Sequence, residues 1–116
     1  MDLDDVRLLA LDLPDAHEAP HFDLTSFRVG SKIFATAPLE GDVVRIFVDE
    51  SEARACVAEA LPGATLVQWG TKVSGVSLVL ATADPQRVAE LLEDSWRRRA
   101  PKRVVAAYDA SRTTDT

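Results

Sequence analysis

Pro20-His21-Phe22-Asp23-Leu24-Thr25-Ser26-Phe27-Arg28-Val29-Gly30-Ser31-Lys32-Ile33-Phe34-Ala35 reads as two alternating strands joined by a two-residue turn. Phe27, Val29, Ile33 and Ala35 fall on one side at period two, and Arg28, Lys32 and Phe34 on the other. Gly30 at the first central position of the turn supplies the positive φ of a type II′ hairpin. A third strand, Val43 to Val48, follows the turn Glu40-Gly41-Asp42. Three strands in sequence predict an antiparallel meander.

Working outward, the period changes to that of a helix. Val6, Leu9, Ala10 and Leu13 follow an acidic start that suits a helix dipole, so residues 3–12 form a first helix, ended by Pro14 and Asp15. Asp49 with Glu50, Ser51 and Glu52 resembles a capping box and opens a second helix through Ala53, Cys56, Val57, Ala60 and Leu61, which Pro62-Gly63 stops. Ala64 to Trp69 and the strongly apolar Val73 to Ala81 make two more strands around a turn at Gly70. Asp84-Pro85 starts a third helix with Val88, Leu91, Leu92 and Trp96 on one stripe. Pro101 breaks it, and Val104, Val105 and Tyr108 suit a short terminal helix before a polar tail at 111–116. The order α-β-β-β-α-β-β-α predicts a two-layer α+β sandwich, a five-stranded antiparallel sheet with helices on one face, in a single domain over 1–110.

The 116 residues suffice for one core without disulfides or metal. No apolar run approaches the roughly 18 residues of a membrane span, so no membrane partner is expected. The N-terminus Met1-Asp2-Leu3-Asp4-Asp5 lacks the basic and apolar character of a signal peptide, and Cys56 has no second cysteine to pair with. Both point to a cytoplasmic protein. The net charge of −6 is unevenly placed: residues 1–23 hold seven acids against Arg7, whereas Arg97-Arg98-Arg99-Ala100-Pro101-Lys102-Arg103 gathers five positives. The ordinary reading of such runs is a pair of solvated helix faces. The sharper one is a phosphate-binding footprint.

Few residues invite chemistry. His17-Glu18-Ala19-Pro20-His21 matches the zinc-protease pattern H-E-x-x-H, which works only when a helix sets both His on one face. Pro20 inside it and Pro14 before it deny that helix, leaving a loop or strand entry in which His21 packs or hydrogen-bonds. Cys56 lies on an apolar helix stripe with no adjacent base and reads as a small core residue. Gly70-Thr71-Lys72 lacks the spacing of a phosphate loop. By alternation Arg28 and Lys32 share one side of the hairpin, where an uncovered sheet face makes them either solvated charges or a small basic site. Trp69 either packs inside or forms an exposed aromatic-basic patch with Lys72.

Leu13-Pro14, Pro20-His21-Phe22, Ser26-Phe27-Arg28-Val29 with Lys32-Ile33-Phe34-Ala35, Ser95-Trp96 and Ala100-Pro101-Lys102 together resemble the MmcQ/YjbR family of small bacterial proteins over about residues 3–108. The resemblance implies a topology similar to type III secretion chaperones and DNA binding through hairpin wings. It implies no catalytic residues and no cofactor. The expected contacts are Arg28, Lys32, Lys72, Arg97, Arg98 and Lys102, with His21 and Trp69 at a possible pocket. The alternative is a protein or peptide interaction module, and an enzyme ranks third. Oligomeric state is not readable.

Overall fold

Asp2, Asp49 and Asp84 each precede a helical stretch, and each side chain turns back as an N-cap. Asp2 accepts from the Asp5 N–H at 2.9 Å while the Asp5 carboxylate accepts from the Asp2 N–H at 2.9 Å. Asp49 accepts from Glu52 at 2.8 Å and Asp84 from Gln86 at 3.1 Å. Each satisfies a donor that the first helical turn leaves without a partner. In the computed structural model, which describes residues 1–59 and 63–114, these caps open α1 (Leu3–Leu11), α2 (Glu50–Ala58) and α3 (Pro85–Arg99). The remaining helix is α4 (Lys102–Thr114), and the strands are β1 (Ala16–His21), β2 (Leu24–Val29), β3 (Lys32–Pro38), β4 (Val43–Ile46), β5 (Thr65–Trp69) and β6 (Lys72–Val79). Ala60, Leu61 and Pro62, expected to finish the second helix, lie outside the described residues.

The sheet has six strands rather than five, in the order β1-β2-β3-β4-β6-β5, all neighbours antiparallel. The additional strand is β1, over the His-Glu-Ala-Pro-His stretch. Its Pro20 is tolerated because β1 is an edge, where one ladder donor fewer costs little. The terminal helix is also longer than a turn or two, since Ser111 to Thr114 continue α4 instead of forming a polar tail.

Register separates two faces. Phe27, Ala35, Ile46, Val76 and Leu66 form one row across β2, β3, β4, β6 and β5, and the first four are fully buried. On this side α1 packs on β1 and α3, α3 on β3 and β4, and α2 on β6 and β5. The adjacent row, Ala19, Ser26, Thr36, Arg45, Ser77 and Thr65, crosses all six strands on the side opposite the helices, which no helix among the described residues covers.

The first hairpin obeys the expected turn, with Gly30 at φ 61, but not the expected alternation. Phe27 opposes Ala35 while Arg28 opposes Ile33, so Phe34 is an extra residue in a bulge. A bulge resets which residues share a face. Phe34, expected beside Arg28 and Lys32, is fully buried in the helix-side core, and Ile33 joins the Arg28 side.

The helical layer is pinned at one end. Ser95 Oγ lies 2.7 Å from Phe34 O and 2.6 Å from Phe47 O, sharing its proton between the bulge and the exit of β4. Arg99 Nη1 donates to the same Phe47 carbonyl at 2.9 Å. Trp96, fully buried, donates its indole N–H to Pro14 O at 2.9 Å and meets Tyr108 edge-on at 5.1 Å. These contacts fix the α3–α4 corner over the β2–β3 hairpin.

Candidate functional site

Antiparallel strands with one covered face leave the other for solvent or a ligand. Here the uncovered face carries no carboxylate among the described residues. Its strand positions, taken from register, are His17, Ala19 and His21 on β1, Leu24, Ser26 and Arg28 on β2, then Ile33, Thr36 and Pro38 on β3. They continue with Val43 and Arg45 on β4, Gly75, Ser77, Val79 and Lys72 on β6, and Thr65, Val67 and Trp69 on β5. Glu18, the lone acid in any strand among the described residues, points to the helix side, where Arg7 and Thr25 hydrogen-bond it at 3.0 and 2.6 Å. In a chain of net charge −6, this segregation leaves one face neutral to basic.

The two long hairpin turns, Gly30-Ser31 and Gly70-Thr71, lie at the same end of the sheet, because β2 and β5 run the same way. The acids Asp23, Glu40 and Asp42 occupy turns at the opposite end.

Trp69 is 80% exposed and opposes Lys72 across its turn, so the exposed aromatic-basic patch is realised and core packing is not. Arg28 lies flat over the sheet. Its Nε donates to Ser26 Oγ at 2.9 Å and its Nη2 reaches Pro20 O at 3.4 Å, while Ser26 Oγ donates to Ala19 O at 2.7 Å. This chain holds the guanidinium in place with Nη1 unpartnered among the described residues. Arg45, at the centre of the small-residue row, was not among the expected contacts. Its position between apolar Val44 and Ile46 was the available signal.

Arg28 and Lys32 do not share a side. Val29 pairs with Lys32 across the two-residue turn, which puts Lys32 on the helix side and Arg28 on the other. Lys32 instead joins Arg97, Arg98, Arg99 and Lys102 along a groove of about 530 Å³ between the β2–β3 turn and the α3–α4 corner. Much of that charge is matched. Arg97 Nη2 sits 2.6 Å from Asp109 and its Nε 3.4 Å from Glu93, and Arg98 Nη1 sits 2.9 Å from Asp49. Hydrogen bonding to Arg97 holds the Asp109 carboxyl below its ordinary range, and the Glu52 N–H followed by Arg98 does the same for Asp49. Lys32 and Lys102 keep unmatched charge among the described residues.

His21 ends β1, half-buried, with its ring edge-on to Phe22 at 4.9 Å. His17 and His21 are four residues apart on one strand, about 13 Å, too far to share an ion. Among the described residues no group of three or more His, Cys, Asp or Glu is placed to hold a metal. Cys56 is buried, and burial pushes its thiol up despite Arg87 Nη2 at 3.4 Å. A protonated thiol is a poor nucleophile.

What the fold and this surface define is a small α+β sandwich whose antiparallel sheet is covered on one side only. The YjbR family model matches residues 11–98, and the chain belongs to the YjbR family. The solved structure of Deinococcus radiodurans protein DR2400, which carries the family-model domain DUF419, is similar with a TM-score of 0.71, 20% identity and coverage of 82% of this chain and 75% of that one. At that identity the likeness is one of fold. No curated protein matches the chain. No helix among the described residues is long and apolar enough to cross a membrane.

Proposed function

We propose that the protein binds nucleic acid, DNA in the first place, on the uncovered sheet face, and performs no reaction on it. The observation that carries this reading is a six-strand face whose described residues include no carboxylate and which bears Arg28, Arg45 and Lys72, on an otherwise acidic chain. Lys and Arg contacts to phosphate supply most non-specific affinity for DNA. The hairpin wings contribute Lys72 to that face, whereas Arg97 and Arg98 are committed to acids.

Fluorescence anisotropy of labelled DNA across a salt series tests it. Three phosphate contacts give a slope of log K against log salt between about −2 for a single strand and about −2.7 for duplex. Charge reversal at Arg45 and Lys72 should remove most of that slope. Absence of binding at low salt, or a slope indifferent to both reversals, contradicts the proposal.

A second reading, a protein or peptide partner, is favoured by one observation. The β5 edge, Thr65-Leu66-Val67-Gln68-Trp69, carries neither charge nor proline, whereas the β1 edge is blunted by Pro20. An unblunted edge accepts an added strand. Loss of a captured protein from lysate on Val67→Pro, with DNA affinity unchanged, would favour this reading over the first.

A further inference from the structure

Resting on the nucleic-acid reading, we infer that the face takes its ligand single-stranded, with a base stacked on Trp69. The cations on this face do not stand together as a phosphate clamp for duplex. Half-buried Ile33 lies between Arg28 and Arg45, half-buried Val67 lies next to Trp69 on β5, and half-buried Val43 and Val79 lie beyond Arg45. The central row is built of small residues, Ala19, Ser26, Thr36, Ser77 and Thr65, around one arginine; Ser26 and Thr36 are buried, and exposed Thr65 beside half-buried Ser77 leaves the β5 end open to a flat ring. Duplex DNA offers its phosphates outward and hides its ring faces in the stack, so apolar ground between cations gives it nothing. A single strand offers both phosphates and ring faces, and binds proteins that combine a basic track with aromatic platforms.

Trp69 fits that platform role. Its ring is 80% exposed and has no aromatic neighbour among the described residues, since the ring pairs there are His21 with Phe22 and Trp96 with Tyr108. Lys72, opposite Trp69 across the turn, is placed for the phosphate next to a stacked base. Val67, paired with Gly75, is the next residue of β5 on this face.

The two tryptophans make a clean test. Trp96 is fully buried with its N–H on Pro14 O, so quenching by an added strand reports Trp69. Oligothymidylate of about 12 nucleotides and a duplex of equal length are titrated at about 50 mM salt, into the native chain and Trp69→Ala, an exposed substitution that leaves the core intact. The expected result is tighter binding of the single strand, quenching on binding, and a roughly 10- to 100-fold weakening in Trp69→Ala with duplex binding unaltered. Duplex binding as tight as single-strand binding, or single-strand affinity unchanged in Trp69→Ala while Arg45→Glu with Lys72→Glu abolishes it, overturns the inference and leaves the nucleic-acid reading standing. No binding of either nucleic acid overturns both.

Discussion

Gly75→Ala is the substitution whose outcome the geometry constrains most. A Cβ built on Gly75 falls 2.2 Å from Ile46 O, 3.0 Å from Ile46 C and 3.0 Å from Phe47 Cα. All three atoms are main chain, where ordinary carbon contacts begin near 3.5 Å, so the two strands must part by about 1 Å. Phe47 cannot yield freely: its N–H donates to Phe34 O at 3.2 Å, and its carbonyl accepts from Ser95 and Arg99. Overpacking costs about 1–3 kcal/mol, and weakening one or two of these hydrogen bonds adds about 0.5–1.5 kcal/mol each. A loss of about 3 kcal/mol is expected, lowering Tm by roughly 10 °C for a chain of this size. Gly30→Ala and Gly70→Ala are the controls, since a Cβ there meets nothing within 4 Å and only the positive φ opposes it. They should cost about 1 kcal/mol. Urea and thermal denaturation followed by circular dichroism decide the matter. If Gly75→Ala costs no more than the two controls, the account of the β4–β6 junction is wrong.

Other substitutions probe the helical layer and the groove. Ser95→Ala removes a fully buried hydroxyl shared by two carbonyls and should cost about 1–3 kcal/mol in urea denaturation. Burial, then the neighbouring Asp94, pushes the Glu52 carboxyl up from its ordinary 4.5 to about 7. The folded chain therefore holds a proton there that the unfolded chain has lost, so Glu52 favours the fold at pH below about 4.5, and its contribution is lost as pH rises from there through 7. Glu52→Gln should flatten that decline and raise stability at pH 8 relative to native, a difference that denaturation at pH 5 and pH 8 will show. Arg98→Ala, which breaks only the exposed pair with Asp49, should change stability by about 1 kcal/mol or less and leave DNA affinity within about two-fold.

The starts of α2 and α3 were legible because Asp49 and Asp84 announce themselves as caps, that of α1 because its acidic start suits a helix dipole although the Asp2 cap itself was not read, and the hairpin at Gly30-Ser31 because its turn residue admits few alternatives. The stripe ending in Trp96 likewise marked the buried side of α3. β1 was not legible: Ala16–His21 has no apolar alternation and contains Pro20, and only pairing with β2 makes it a strand. The bulge at Phe34 was equally hidden, since the insertion is defined by a partner strand rather than by local preference. That single extra residue misassigned Phe34 and Ile33. The separation of Arg28 from Lys32 was available in principle, as a two-residue turn pairs 29 with 32 and so puts 28 and 32 on opposite sides. Arg45 reads as part of the site only once six strands are placed side by side, and the ion pairs of Arg97 and Arg98 depend on Asp49 and Asp109, distant in sequence from the basic run.

Amide and indole resonances of isotope-labelled protein, followed while an oligonucleotide is added, test the central claim most directly. If the uncovered face is the binding surface, shifts concentrate on Arg28, Thr36, Arg45, Val67, Lys72 and Ser77 and on the Trp69 indole, with the Trp96 indole still. Shifts gathered instead at Lys32, Arg98 and Lys102, with the sheet face silent, would contradict it and move the site to the groove beneath the α3–α4 corner.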